Sequence, residues 1–161
     1  MIRPTKPTDT PELLTLTQAT GVFKDMEIEA LQEVLSDYHA TNAGMGHQCV
    51  TLEDQGRIMG FAYFAPAAMT DRTWYLYWIA VRKQTQARGL GQKLLLYTEK
   101  AIREARGRVL LIETSSLPHY ELTRKFYLKN GYEEEARLRD FYSDGDHLVV
   151  FRKRLLEVEK Q

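Results

Sequence analysis

The run Trp74-Tyr75-Leu76-Tyr77-Trp78-Ile79-Ala80-Val81 is apolar or aromatic at every position. A stretch this short and this rich in aromatic and β-branched residues predicts a central strand covered on both faces. Alternation assigns Trp74, Leu76, Trp78 and Ala80 to one face and Tyr75, Tyr77, Ile79 and Val81 to the other. The polar segment that follows carries Gly89 and Gly91. Apolar positions then return at helical spacing, at Leu94, Leu95, Thr98, Ala101, Ile102 and Ala105, until Gly107 stops the helix.

The same patterning organises the rest of the chain. Ile2 and Arg3 begin a first strand, ended by Pro4 and Pro7. Thr8-Asp9-Thr10-Pro11-Glu12 reads as a helix start, a polar cap followed by Pro in the first turn. Leu13, Leu14, Leu16 and Ala19 form that helix's apolar side. A second helix is expected over 26–40 from Ile28, Leu31, Val34, Leu35 and Tyr38, with a turn at 42–46. Strands at 49–53 and 58–65 join through Asp54-Gln55-Gly56, a hairpin signal. Later come a buried strand at 109–113, a helix over 118–129 and a closing hairpin of 134–142 with 147–154. This order predicts an α+β fold, a mixed and largely antiparallel sheet flanked by helices, in one domain over 1–161.

Composition narrows the partners. The 22 basic residues balance 22 acidic ones, so neither a nucleic-acid footprint nor a polybasic membrane contact is expected, while self-association is permitted. A single Cys49 rules out an internal disulfide and fits a reducing compartment. With no membrane-length apolar run and no apolar signal core after Met1, a cytoplasmic protein is expected. His39, His47, His119 and His147 show no metal-ligand spacing with Cys49, and no metal is expected. Neither a Gly-x-Ser-x-Gly elbow nor a Walker loop is present, which leaves hydrolase and NTPase readings without support.

The glycine segment does carry chemistry. Gly89 and Gly91 bring unencumbered backbone N–H groups to a helix N-terminus, an anion site suited to a pyrophosphate. A dinucleotide fingerprint would need a third glycine where Leu94 stands. The segment Gln86-Ala87-Arg88-Gly89-Leu90-Gly91 instead resembles the Gln/Arg-x-x-Gly-x-Gly/Ala motif of the GCN5-related N-acetyltransferases, the GNAT superfamily. A second stretch, Tyr120-Glu-Leu-Thr123-Arg-Lys-Phe126-Tyr127-Leu-Lys-Asn130-Gly131-Tyr132, is similar to that family's Asn-x-x-Ala-x-x-x-Tyr-x-x-x-Gly-Phe, with Tyr120 and Thr123 in place of Asn and Ala. The element order is also that of the GNAT fold. The resemblance implies acetyl-CoA as co-substrate, held by Ile79, Ala80 and Val81 at the strand end, by Gln86, Ala87, Arg88, Gly89, Leu90, Gly91 and Gln92 in the loop, and by Tyr120. It also allows a homodimer through the closing hairpin.

Acetyl transfer to an amine needs a neutral amine, a polarised carbonyl and a proton for the departing thiolate. A free amine of pKa about 10.4 is about 99.9% protonated at pH 7, an adverse equilibrium of about 4–5 kcal/mol. The resemblance gives the acid role to Tyr127; the alternative is a core aromatic whose hydroxyl orients the sulfur. Glu113, in an apolar strand that would desolvate it, is the candidate base, against a structural salt-bridge role. Asp140 is a second carboxylate for a cationic amine, and an ordered water needs no dedicated base. Phe23, Tyr38, Trp74, Tyr77 and Tyr142 are candidate aromatic lining of the substrate site, with Phe141 beside them. This mixture favours the primary amine of a small molecule, an amino-acid-like one included; a protein N-terminus or lysine, and a non-catalytic acyl-CoA-binding module, are the alternatives.

Overall fold

The computed structural model describes residues 1–157, apart from the side chains of 85–87. Its elements are β1 (Ile2–Pro4), α1 (Thr10–Ala19), α2 (Asp25–Ala40), β2 (Gln48–Asp54), β3 (Arg57–Pro66), β4 (Thr73–Val81), α3 (Leu90–Glu104), β5 (Val109–Ser115), α4 (Glu121–Lys129), β6 (Glu133–Ser143) and β7 (Asp146–Arg154). The strands form one sheet in the order β1-β2-β3-β4-β5-β7-β6. The β1/β2, β2/β3, β5/β7 and β6/β7 ladders are antiparallel. This is the α+β architecture expected from the patterning. Among the described residues no helix is long and apolar enough to cross a membrane. The chain divides into two units, one of Met1–Ala65 with Leu76–Lys100, the other of Pro66–Tyr75 with the chain from Ala101.

In the first unit, α1 and α2 bury Leu13, Leu16, Leu31, Leu35 and Tyr38 against Cys49, Phe61, Tyr63, Ala65 and Ala80. The β2–β3 hairpin turns at Gln55 and Gly56, both left-handed (φ 50° and 75°), the two-residue turn that matches strand twist. Its register slips by one residue beyond Glu53, so Cys49 pairs with Tyr63. Arg3 ties β1 to both neighbours, donating to Asp9 at 2.7 and 3.0 Å and to Glu53 at 2.7 Å. Asp9, expected as a helix cap, instead accepts from Arg3 and from the Lys6 N–H at 2.7 Å. Gly60 is required by space: a Cβ there would stand 2.7 Å from the Ala80 carbonyl oxygen and 2.9 Å from Val81 Cγ1. Cys49 is 1% exposed, and burial pushes its thiol up to about 12.

In the second unit, β5 and β7 bury Leu110, Ile112, Val149 and Phe151. The helix expected over 118–129 is divided, a single 3-10 turn at Pro118–Tyr120 preceding α4. Gly107 does not supply the left-handed residue at the end of α3; Arg106 does, at φ 65°. Gly107 is there because a Cβ would lie 2.2 Å from Ile102 Cγ2 and 2.8 Å from the Trp74 ring. β6 lies at the end of the sheet, paired only with β7, and all its residues are exposed. It slips out of register with β7 at Glu135 and again over 139–142.

Candidate active site

The expectation that the central strand is covered on both faces fails within the first unit. Tyr77 is 53% exposed, and Trp78 and Ile79 are half-buried. Strict alternation fails as well. Tyr77 stacks edge-on to Tyr63 (6.4 Å between centroids), and its neighbour Trp78 packs against the same core cluster, where Tyr63 also lies. Two consecutive side chains therefore share one face, as at a β-bulge, the device by which strands re-aim side chains next to functional sites. Phe23 meets Trp78 at 5.4 Å, Tyr38 meets Tyr63 at 5.6 Å, and His47 meets Tyr63 at 5.8 Å. Phe23, Tyr38 and Tyr77 are thus brought together in one aromatic wall.

Three of its members carry no sequence signal of this role. Trp78 reads in the sequence only as a strand residue, and Tyr63 lies within an apolar run. His47 carried no motif, yet its Nδ1 lies 2.6 Å from the Tyr63 hydroxyl oxygen. Burial lowers the His47 imidazole below its ordinary range and pushes the Tyr63 phenol up to about 12. Both are therefore uncharged at neutral pH.

β4 leaves the core through Arg82, whose N–H donates to Met59 O at 2.8 Å and whose Nε donates to Ile58 O at 2.7 Å; its guanidinium also pairs with Glu12. A 3-10 turn, Lys83–Arg88, follows. Gly89 is left-handed (φ 75°, ψ 16°), and α3 starts at Leu90. A Cβ at Gly89 would meet nothing within 4 Å, so glycine serves the backbone conformation and leaves an open approach. First-turn N–H groups have no acceptor within the helix, so this junction suits an anionic group. Arg88, exposed beside it, pairs with Asp54 at 3.3 Å. The side chains of Gln86 and Ala87 lie outside the described residues. Ile79, Ala80 and Val81 end β4, and Gln92 lies in the first turn of α3.

In the second unit, Tyr127 of α4 is 3% exposed, its ring held by Phe126, Tyr132 and Phe151 at 5.5, 5.9 and 5.6 Å. Burial raises its phenol well above the ordinary tyrosine range. Its hydroxyl has no hydrogen-bond partner among the described residues. Ile112 pairs with Phe151, and cross-strand partners share a face, so Ile112 lies on the Tyr127 side of β5. Glu113, the next residue, projects from the opposite face. The acid and base candidates are therefore on opposite sides of one strand. Glu113 reaches solvent, yet desolvation by neighbouring strand atoms raises its carboxyl above the ordinary range, and its charge raises the Tyr75 phenol further.

The remaining candidates divide. Trp74 does not join the wall; it is 6% exposed and fills the space that Gly107 leaves. Asp140 is committed to the hairpin. Its backbone is left-handed (φ 56°), its N–H donates to His147 Nδ1 at 2.9 Å, and its Oδ1 accepts from the Gly145 N–H at 2.8 Å. Tyr142 is 45% exposed, edge-on to Phe141 at 5.1 Å. Tyr120 stands half-buried at the N-cap of α4, its ring 4.7 Å from that of His119.

Comparison with known proteins bears on this arrangement. A family model described as an acetyltransferase (GNAT) domain matches residues 45–134. A solved GNAT-family protein from Desulfovibrio desulfuricans is 32% identical, with 97% of this chain and 99% of that one covered and a TM-score of 0.92. At 19% identity, an aminoglycoside 6'-N-acetyltransferase complexed with coenzyme A shares the fold, with 99% of each chain covered and a TM-score of 0.80. So does a ribosomal-protein-alanine N-acetyltransferase from Brucella melitensis, at 18% identity, 96% and 99% coverage and a TM-score of 0.73. No curated protein matches.

Proposed function

The chain belongs to the GNAT family of acetyltransferases, and from that premise we propose that it transfers the acetyl group of acetyl-CoA to a primary amine of a small molecule. Residues 1–161 act as one catalytic domain in this reading, supported by the near-complete coverage of the Desulfovibrio relative. The observation that carries the small-molecule acceptor is the aromatic wall around Tyr77, which offers π faces to a compact organic ammonium. Phe23, Tyr38 and Tyr77 are its proposed contacts.

Acetyl-CoA supplies the acyl group as a thioester. The left-handed turn at Gly89 and the N–H groups of Leu90 and Gly91 fit its pyrophosphate, with Arg88 beside them. Backbone groups of Ile79, Ala80 and Val81, and the Tyr120 ring, are the proposed partners of its remaining length. Glu113 accepts the proton that the amine loses as the C–N bond forms. Desolvation raises its carboxyl above the ordinary range, which makes it a stronger base than an ordinary glutamate. Tyr127 gives its proton to the sulfur as the C–S bond breaks. Burial raises its phenol, so the hydroxyl is in its protonated, donor form at neutral pH.

The test is release of free thiol from acetyl-CoA in the presence of small amines, amino acids, polyamines, aminoglycosides and N-terminal peptides. Saturable release with a small amine is expected. Turnover confined to peptides would overturn the acceptor class. Absence of acetyl-CoA binding by calorimetry would overturn the catalytic reading itself.

A further inference from the structure

We propose that Thr114 is a positioning residue for the acid step: its hydroxyl donates a hydrogen bond to the Tyr127 oxygen once that oxygen has given its proton to the departing sulfur. The inference rests on the acid role proposed above for Tyr127. Thr114 is 6% exposed, and its Oγ1 is fully buried with no hydrogen-bond partner. An orphaned hydroxyl carries its whole desolvation penalty, which a valine of the same shape would not. Its presence in the core therefore asks for a partner that the resting chain does not supply.

The fold says where that partner lies. Ile112 and Thr114 share one face of β5 with their cross-strand partners Phe151 and Val149, and all four are buried. Of these four, only Thr114 carries a side-chain donor. Tyr127 packs on Phe151 at 5.6 Å. Arg124, about one turn earlier in α4, donates from Nη1 to Ser115 O at 2.8 Å and to Leu117 O at 3.0 Å. The helix thus runs back over β5, and Thr114 lies beneath it between the levels of Tyr127 and Arg124, about 7 Å along the strand from Ile112.

A phenol that acts as an acid leaves a phenolate. Phe126, Tyr132 and Phe151 enclose the Tyr127 ring, and this burial disfavours the charged form. As the C–S bond breaks, the sulfur takes the Tyr127 proton and the phenolate oxygen accepts a hydrogen bond from Thr114. Thr114 keeps its own proton, and solvent restores that of Tyr127 after coenzyme A leaves. A hydrogen bond to a charged acceptor is roughly twice as strong as a neutral one, so it favours the transition state over the resting enzyme.

Hydroxylamine is the nucleophile of the test, being neutral at neutral pH and small enough to need no acceptor pocket. Thiol release from acetyl-CoA is counted above the enzyme-free blank. Thr114→Val should lower kcat about 10-fold, with calorimetric affinity for acetyl-CoA unchanged. It should also raise the midpoint of chemical denaturation, because the orphaned hydroxyl is gone. Thr114→Ser keeps the hydroxyl and should restore most of the rate. In the Tyr127→Phe background no phenolate forms, and the effect of Thr114→Val on kcat should disappear; a merely structural role would slow both proteins alike. Wild-type kcat in Thr114→Val beside a slowed Tyr127→Phe would overturn the Thr114 role and leave the acid reading standing. So would a loss that persists in the Tyr127→Phe background, or weaker acetyl-CoA binding at unchanged kcat, which would make Thr114 a cofactor contact. Full rate in Tyr127→Phe, or no release by the wild-type chain, would overturn the acid reading and this one with it.

Discussion

His47 and Tyr63 are joined at 2.6 Å between imidazole Nδ1 and phenol oxygen, and burial favours the uncharged form of both. The imidazole has a folded pKa below its unfolded value of about 6.5. Between those two values the unfolded chain binds more protons, so stability falls as pH drops below about 6.5 and is level above it. His47→Gln should remove this component. Thermal unfolding followed against pH is expected to show a shallower acid-side decline in the variant, and superimposable slopes would contradict it.

Tyr63 also supports the ring of Tyr77. Tyr63→Phe keeps the ring contacts and removes the hydroxyl, so the KM for the amine should rise several-fold while acetyl-CoA affinity is unchanged. Steady-state kinetics with each substrate varied in turn separates the two effects.

Tyr127→Phe preserves the packing against Phe126, Tyr132 and Phe151 and removes the transferable proton. A lost general acid costs about 100-fold or more in kcat. Calorimetric affinity for acetyl-CoA should be retained. Undiminished kcat would leave Tyr127 as a core aromatic.

Much of this arrangement is legible in the residues before folding, and some is not, for a definable reason. The glycine loop, the order of elements along the chain and the placing of Tyr127 on a helix rest on local signals. The His47–Tyr63 pair rests on register. Counting outward from the Gln55-Gly56 turn without a slip would set Cys49 opposite Ala62; the one-residue slip beyond Glu53 sets it opposite Tyr63, which puts His47 and Tyr63 on one face. No composition signal marks that extra residue. The same holds in β4, where alternation gives Tyr77 and Trp78 opposite faces and the backbone brings both to the same one. Gly107 invites a helix-stop reading from its position alone; the Trp74 ring it accommodates is distant in sequence.

Gly60→Ala would force a methyl group to within 2.7 Å of the Ala80 carbonyl oxygen and 2.9 Å of Val81 Cγ1. Overpacking of this kind costs about 1–3 kcal/mol. Chemical denaturation should show that loss, with acetyl-CoA affinity reduced because Ala80 and Val81 lead into the glycine loop.

Arg3 bonds two carboxylates from separate elements, with its side chain 15% exposed and that of Asp9 7%. Arg3→Ala leaves Asp9 buried without its main partner and should cost about 3 kcal/mol. In the wild type, the Arg3 hydrogen bond holds the Asp9 carboxyl below its ordinary range. The stability this confers is present above the unfolded value of about 3.8 and is lost as pH falls through the lower folded value. Acid unfolding curves of the two proteins should converge at low pH.

Cys49 has a practical consequence for every assay described above. Its thiol is sealed under the α1–α2 core and pushed up to about 12, so at neutral pH the thiolate that reacts with disulfide and maleimide reagents is almost absent. The folded chain is chromogenically silent. Colour developed by a thiol reagent in a reaction mixture counts coenzyme A alone, and a slow rise in the enzyme-only blank reports unfolding. A cysteine introduced on β6 would carry a fluorophore at a single position without first removing the native one.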